Sequence, residues 1–301
     1  MQSGVLLLVM AMCLTPGVDV LAKQLTAEHS PFAVAFFRYF AGGVVALCVA
    51  KALGKPIHIP KAARMGQVFR TGLLVASMTC LITAFSMVPM AYAVGGFLIS
   101  PIVSTLLCVA FLGEKLTKTR ILGVVLSLIG AVLIAKPAAG IEMGTVFALA
   151  GGVLLGAYLA STRGSSDTGG ALSTLAVQCF IGAGLVAPLA FWGGLPDMNW
   201  PLIYSIVGLG VFSAGAHFLT VAAFERTDAS VLSPFMYFNL IAAVIVGYFW
   251  FNEVPSFASM IGLFVIAGGG LVTMAPQLFA VMAERKVSNF KGEERQQSAF
   301  A

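Results

Sequence analysis

Residues 92–137 read YAVGGFLISPIVSTLLCVAFLGEKLTKTRILGVVLSLIGAVLIAKP, two apolar segments on either side of a short turn at Gly113, Glu114 and Lys115. The second segment carries Gly123 and Gly130 and stops at Pro137. Laid over the second half of the chain in a single register, the pattern returns: Glu114 falls on Glu253, Gly123 on Gly262, Gly130 on Gly269 and Pro137 on Pro276. Few other residues match. The shared ones are a charge at a helix junction, two close-packing glycines and a proline beyond a helix end. Upstream the likeness continues weakly, one position out of that register, with Gly4, Phe40 and Gly42 aligning on Gly144, Phe180 and Gly182. A repeat of this size sets the architecture before any single element is assigned.

Outward from that stretch the chain is apolar almost throughout. It is 59% hydrophobic and 10% charged over 301 residues, where a soluble domain carries about 25% charge. This is the composition of an integral membrane protein. With about 20 apolar residues needed per span, ten helices are predicted, over 3–22, 31–50, 70–88, 91–112, 119–136, 144–162, 171–192, 202–224, 229–251 and 256–275. The fold class is therefore all-α and polytopic, with a first five-helix repeat over 1–137, a second over 138–276 and a charged tail over 277–301. The first apolar run lacks a preceding Lys or Arg and contains Pro16, Gly17 and Asp19, so it reads as a retained helix rather than a cleaved signal. Cys13, Cys48, Cys80, Cys108 and Cys179 sit singly in apolar runs and read as small hydrophobes.

Orientation follows from the cations in the loops. With the N-terminus in the cytoplasm, the inner loops hold Lys51, Lys55, Lys61, Arg64, Arg70, Lys115, Lys118, Arg120, Arg163 and Arg226, and the tail adds Arg285, Lys286, Lys291 and Arg295. The outer loops hold Lys23 and Lys136 alone. Both termini are thus expected in the cytoplasm, with Trp192, Trp200 and Trp250 at the outer interface. Five helices per half is an odd number, so the second half enters the membrane from the opposite side. Inverted repeats of this kind are common in secondary transporters, with the substrate near the midplane between the halves.

The doubled arrangement of apolar helix, Gly113-Glu114 or Asn252-Glu253, and Gly-rich helix resembles the EamA-like transporters of the drug/metabolite transporter superfamily. So does Phe37-Arg38-Tyr39 in the second helix. The resemblance covers nearly the whole chain. It implies ten helices in two inverted repeats and movement of a small polar or amphipathic, amino-acid-like metabolite, often outward, across a bacterial inner membrane by alternating access. The partners it implies are a small-molecule substrate and the lipid bilayer, with no nucleic acid. A coupling proton or ion and a second copy of the chain stay open. No cofactor or metal is expected.

Polar residues inside the spans carry the functional reading, because a charge near a helix centre costs about 2.5–3.5 kcal/mol by insertion scales. Arg38 lies roughly 10 Å below the outer boundary at about 1.5 Å per residue. Asp19 lies at a compatible depth on the first helix, with Lys23 competing for it. Arg38 either binds a substrate carboxylate or phosphate, which suits its planar fork, or forms a structural clamp with Asp19; both stay open. His217 is either a proton site or a hydrogen-bonded core residue. Ser100 and Asn239 occupy matched positions in the two copies, near mid-membrane, and Tyr92, Tyr158, Gln178 and Tyr237 add donors and aromatic faces. Gln178 stands where the first half has Arg38. Glu114 and Glu253 are expected to hold helix ends rather than substrate. The glycines, Gly152 and Gly156 included, are expected to let helices approach.

Two other classes compete with transport. An intramembrane enzyme needs clustered acid, base or nucleophile groups. Here they are scattered, and the expected depth of His217 keeps it from Asp19 and Arg38. A channel or scramblase-like pore needs broken helices and a continuous polar stripe, and only Pro16-Gly17 offers a break.

Overall fold

The computed structural model describes residues 2–58, 64–113, 118–135, 142–163, 170–192, 196–226, 238–258, 260–269 and 271–272. Among these, all regular structure is helical. The helices are α1 (Gln2–Thr26), α2 (Pro31–Ala52), α3 (Arg64–Phe85), α4 (Met90–Phe97), α5 (Ser100–Leu112), α6 (Lys118–Ala135), α7 (Met143–Arg163), α8 (Ala171–Ala190), α9 (Trp200–Arg226), α10 (Phe238–Phe251) and α11 (Met260–Gly269). Seven described spans are long and apolar enough to cross a membrane, α4 and α5 counting together as one. Their outward faces carry exposed hydrophobes such as Phe69 and Phe111, and the shorter α10 and α11 add Phe249 and Phe264. A lipid-facing surface explains these, and a soluble one would not.

The local chemistry explains where helices start and stop. Ser30 accepts a hydrogen bond from the Ala33 amide at 3.2 Å with Pro31 at the first helical position, so α2 begins there. Gly113 ends α5 in the left-handed region, φ 68°, which glycine adopts without penalty.

Three expectations change. The third helix starts at Arg64, ahead of the expected start at 70, which moves Arg70 from a loop into a helix. Pro16 and Gly17 do not break the first helix, since α1 runs unbroken through them. The break falls instead at Leu98 and Ile99, inside the expected helix 91–112. Pro101 follows directly, and a proline has no amide to donate to the carbonyl four residues earlier, here that of Phe97, the last residue of α4.

Packing runs in pairs. α1 lies along α9, α2 along α8 and α3 along α7, with α2 also against α9. Small residues make close approaches possible: Gly210 lies against Ala41 of α2 and Gly151 against Ser77 of α3, and α7 also closes on α4 and α5. A β-carbon on Gly152 would come 2.6 Å from Ile99 Cγ2 and 2.8 Å from the Phe97 carbonyl, and one on Gly156 would come 2.6 Å from Val103 Cβ. A β-carbon on Gly130 would lie 2.6 Å from the Gly262 carbonyl, so α6 and α11 also meet backbone to backbone. The packing role expected for these glycines holds.

Candidate functional site

Two groups of charged side chains share α1. One stands at the end where α1 and α10 finish. The Lys23 ammonium sits 2.7 Å from Glu253 Oε1 and donates to the Val88 carbonyl at 2.8 Å. Its charge also lies 5.4 Å from the centre of the Phe251 ring. Glu253 Oε2 accepts the Met90 amide at 2.7 Å. That amide opens α4, whose preceding Pro89 provides no side-chain cap, so the carboxylate caps α4 from a distant part of the chain. The carboxylate folds back over Gly247, where a β-carbon would lie 3.2 Å from Oε2. Next to it the Ser256 amide donates to the Tyr92 hydroxyl at 2.9 Å. Glu253 thus holds a helix end, as expected, while Lys23 pairs with it and not with Asp19. A cavity of about 800 Å³ opens at this end, with Lys23, Gln24, His29, Asn199 and Glu253 among its walls.

The second group lies one turn and more along α1. Asp19 is 4% exposed, takes a side-chain hydrogen bond from Asn239 and lies in the field of Arg38. Among the described residues no ion pair joins Asp19 to Arg38, so of the two alternatives the direct clamp is not formed in this state. The reason is a competitor on α9: Arg38 Nε donates to Ser213 Oγ at 3.0 Å. Asp19 Oδ2, Arg38 Nη1 and Asn239 Oδ1 are buried and make no hydrogen bond. His217, four residues from Ser213 and so on the same face of α9, also lies in the field of Arg38. His217 thus lies nearer Arg38 than its expected depth implied, because α9 packs along both α1 and α2.

The remaining candidates divide. Gln178 Nε2 donates to the Tyr158 hydroxyl at 3.1 Å and keeps Oε1 unbonded. Tyr39, beside Arg38 in sequence, lies near Cys179 and Tyr158, which connects this pair to the Arg38 region. Ser100 is buried against α7, its carbonyl 2.8 Å from a β-carbon placed on Gly156. Tyr92 belongs to the Glu253 end. Tyr237 lies outside the described residues, as do Glu114 and the tail. No group of His, Cys, Asp and Glu able to hold a metal occurs among the described residues.

Two participants were not legible beforehand. Ser213 is one of several serines in apolar helices, and its only signal is the four-residue spacing to His217. Arg70 was read as a loop cation. It is 3% exposed, donates from Nη2 to Gln67 Oε1 at 2.9 Å and from Nε to the Gly66 carbonyl at 3.2 Å, and its charge reaches Tyr158.

Comparison with known proteins places this bundle. The model of the EamA-like transporter family matches residues 2–136 and again 142–275. An S-adenosylmethionine uptake transporter of Rickettsia conorii is 26% identical over 279 residues, 92% of this chain and 92% of the relative. A riboflavin transporter of Brucella anthropi is 28% identical over 218 residues, 69% of this chain and 75% of the relative. One solved crystal structure shares the fold, with a TM-score of 0.64 over 95% of this chain and 99% of the other at 22% identity. With the family matched along both halves, the chain is a multi-pass membrane protein that belongs to the EamA-like transporters, a transporter and not an enzyme.

Proposed function

We propose that the chain is a secondary transporter that moves a small polar, amino-acid-like metabolite across a bacterial inner membrane by alternating access. The observation that carries this is the group at Asp19, Arg38 and Asn239, which lies between helices with buried atoms left unbonded. Buried polar atoms are normally satisfied, and in a transporter the substrate satisfies them. Gln178, Tyr158 and His217 extend the site.

The architecture behind this reading is two inverted five-helix repeats, 1–137 and 138–276, with the tail and both termini in the cytoplasm. The packing supports it. In the register that sets Gly4 on Gly144, α1 corresponds to α7 and α3 to α9, so the α1–α9 pair has its counterpart in α7–α3, and α2 with α8 is its own. The cation bias supports the orientation. In the alternating cycle the cavity at Lys23 and Glu253 is the approach to the site. That pair separates when this end opens and a substrate moves down to Asp19.

Direction follows the gradient and any coupling ion. The family resemblance implied export, whereas the Rickettsia relatives are named for uptake, so uptake is measured first. The test is an untargeted comparison of metabolites inside cells and in the medium, with and without the protein. A small polar metabolite should redistribute without chemical conversion. A protein-dependent product with no redistribution would sink the proposal.

A further inference from the structure

Two opposite charges stand in the bundle, near each other without touching. Asp19 is nine-tenths buried or more, is held by Asn239 and keeps Oδ2 unbonded. Arg38 is held through Nε by Ser213 and keeps Nη1 buried and unbonded. A bare carboxylate oxygen and a bare guanidinium nitrogen in a low-dielectric interior both call for a charged partner.

We infer that Asp19 and Arg38 are the two poles of one site for a zwitterionic head group, Arg38 taking a carboxylate and Asp19, with Asn239, taking an ammonium group. This rests on the transport reading and narrows it to a substrate class. The planar guanidinium, anchored at one edge, presents its other nitrogens to a carboxylate. The Asp19 oxygen accepts the N–H donors of an amine. Each pole also rejects: an acid without an amine meets the Asp19 charge, and an amine without a carboxylate meets Arg38. Selectivity built from such repulsion exceeds what attraction alone supplies. The poles belong to the first half alone, since the matching positions of the second half are Leu159 and Gln178. The pseudo-twofold frame therefore holds an asymmetric site, and a head group with two different ends enters it one way round.

The test uses the purified full-length protein in proteoliposomes. The vesicles meet a defined mixture containing the common amino acids, the 2-oxo acids matching them, the amines left by removing their carboxylates, S-adenosylmethionine and riboflavin. Mass spectrometry reads what enters. Entry confined to compounds bearing both an amine and a carboxylate is the expected result. Asp19→Asn should then lower the preference for an amino acid over its 2-oxo acid at least tenfold. Arg38→Gln should lower the preference over the matching amine by a similar factor. A purely structural role for either residue would slow all compounds together and leave these ratios unmoved, which overturns the inference. Entry of riboflavin, a 2-oxo acid or an amine as fast as the amino acids also overturns it while leaving transport intact. If nothing enters, the transport reading itself falls, and the two-pole site with it.

Discussion

The Lys23–Glu253 end and the Asp19–Arg38 group are built from the same chemistry, one carboxylate and one cation, with Lys23 and Asp19 a single turn apart on α1, yet they are finished differently. Lys23 and Glu253 form a direct pair and use further bonds on the Val88 carbonyl and the Met90 amide. Asp19 and Arg38 take one neutral partner each and leave atoms open. A pair closed on itself stabilises one arrangement of helices. A pair held apart costs stability and leaves room for a ligand. The contrast separates charges that hold one arrangement of helices from charges left open to a ligand, without reference to any relative.

The largest expected effect breaks the closed pair. Glu253→Ala leaves Lys23 without its anion and α4 without its cap. Removing one partner of a buried pair costs about 3–5 kcal/mol, and the slight exposure of Lys23 and Glu253 places this one at the lower end. Thermal unfolding in detergent should drop sharply, and the added change Lys23→Met should recover part of the loss. An unchanged midpoint would show that the pair contributes nothing to this state.

At the open pair the effect should appear in transport instead. Arg38→Gln and Asp19→Asn should each reduce transport at least tenfold, roughly 1.4 kcal/mol or more of lost binding, while the unfolding midpoint stays near that of the wild type. Arg38→Lys keeps the charge and loses the planar fork, so transport should be weaker rather than absent. A midpoint that falls as far as for Glu253→Ala would erase the contrast between the two groups.

Accessibility sharpens it further. A cysteine at Asn239 should react with a small thiol reagent from water and be protected by substrate. A cysteine at Ser100 should stay unreactive, being packed against α7. Equal labelling of both would return the site to the twofold axis expected from sequence.

The smallest effects concern glycines. Gly247→Ala places a methyl 3.2 Å from Glu253 Oε2 and should cost on the order of 1 kcal/mol as the carboxylate shifts. Gly184→Ala meets nothing within 4 Å and should change stability by less than about 0.5 kcal/mol. Paired unfolding curves check both. If Gly184→Ala is the worse of the two, the fold-back of Glu253 over Gly247 is not the feature that matters.

The sequence by itself determined the class of molecule: apolar runs long enough to span a bilayer, a pattern that recurs from one half of the chain to the other, and glycines where helices meet. These follow from composition and spacing, properties that a chain carries locally. It also picked out Asp19, Arg38, Gln178, His217 and Asn239, since a polar group in an apolar run stands out whatever surrounds it. The pairings were decided only by the tertiary structure. Lys23 goes to Glu253 although Asp19 is one turn away, because Gly247 lets the Glu253 carboxylate fold back and Met90 and Val88 bring further bonds there. Arg38 goes to Ser213 rather than Asp19 because α9 packs along both α1 and α2. A long side chain chooses among partners contributed by helices distant in sequence, and that choice belongs to packing, which no spacing along the chain encodes.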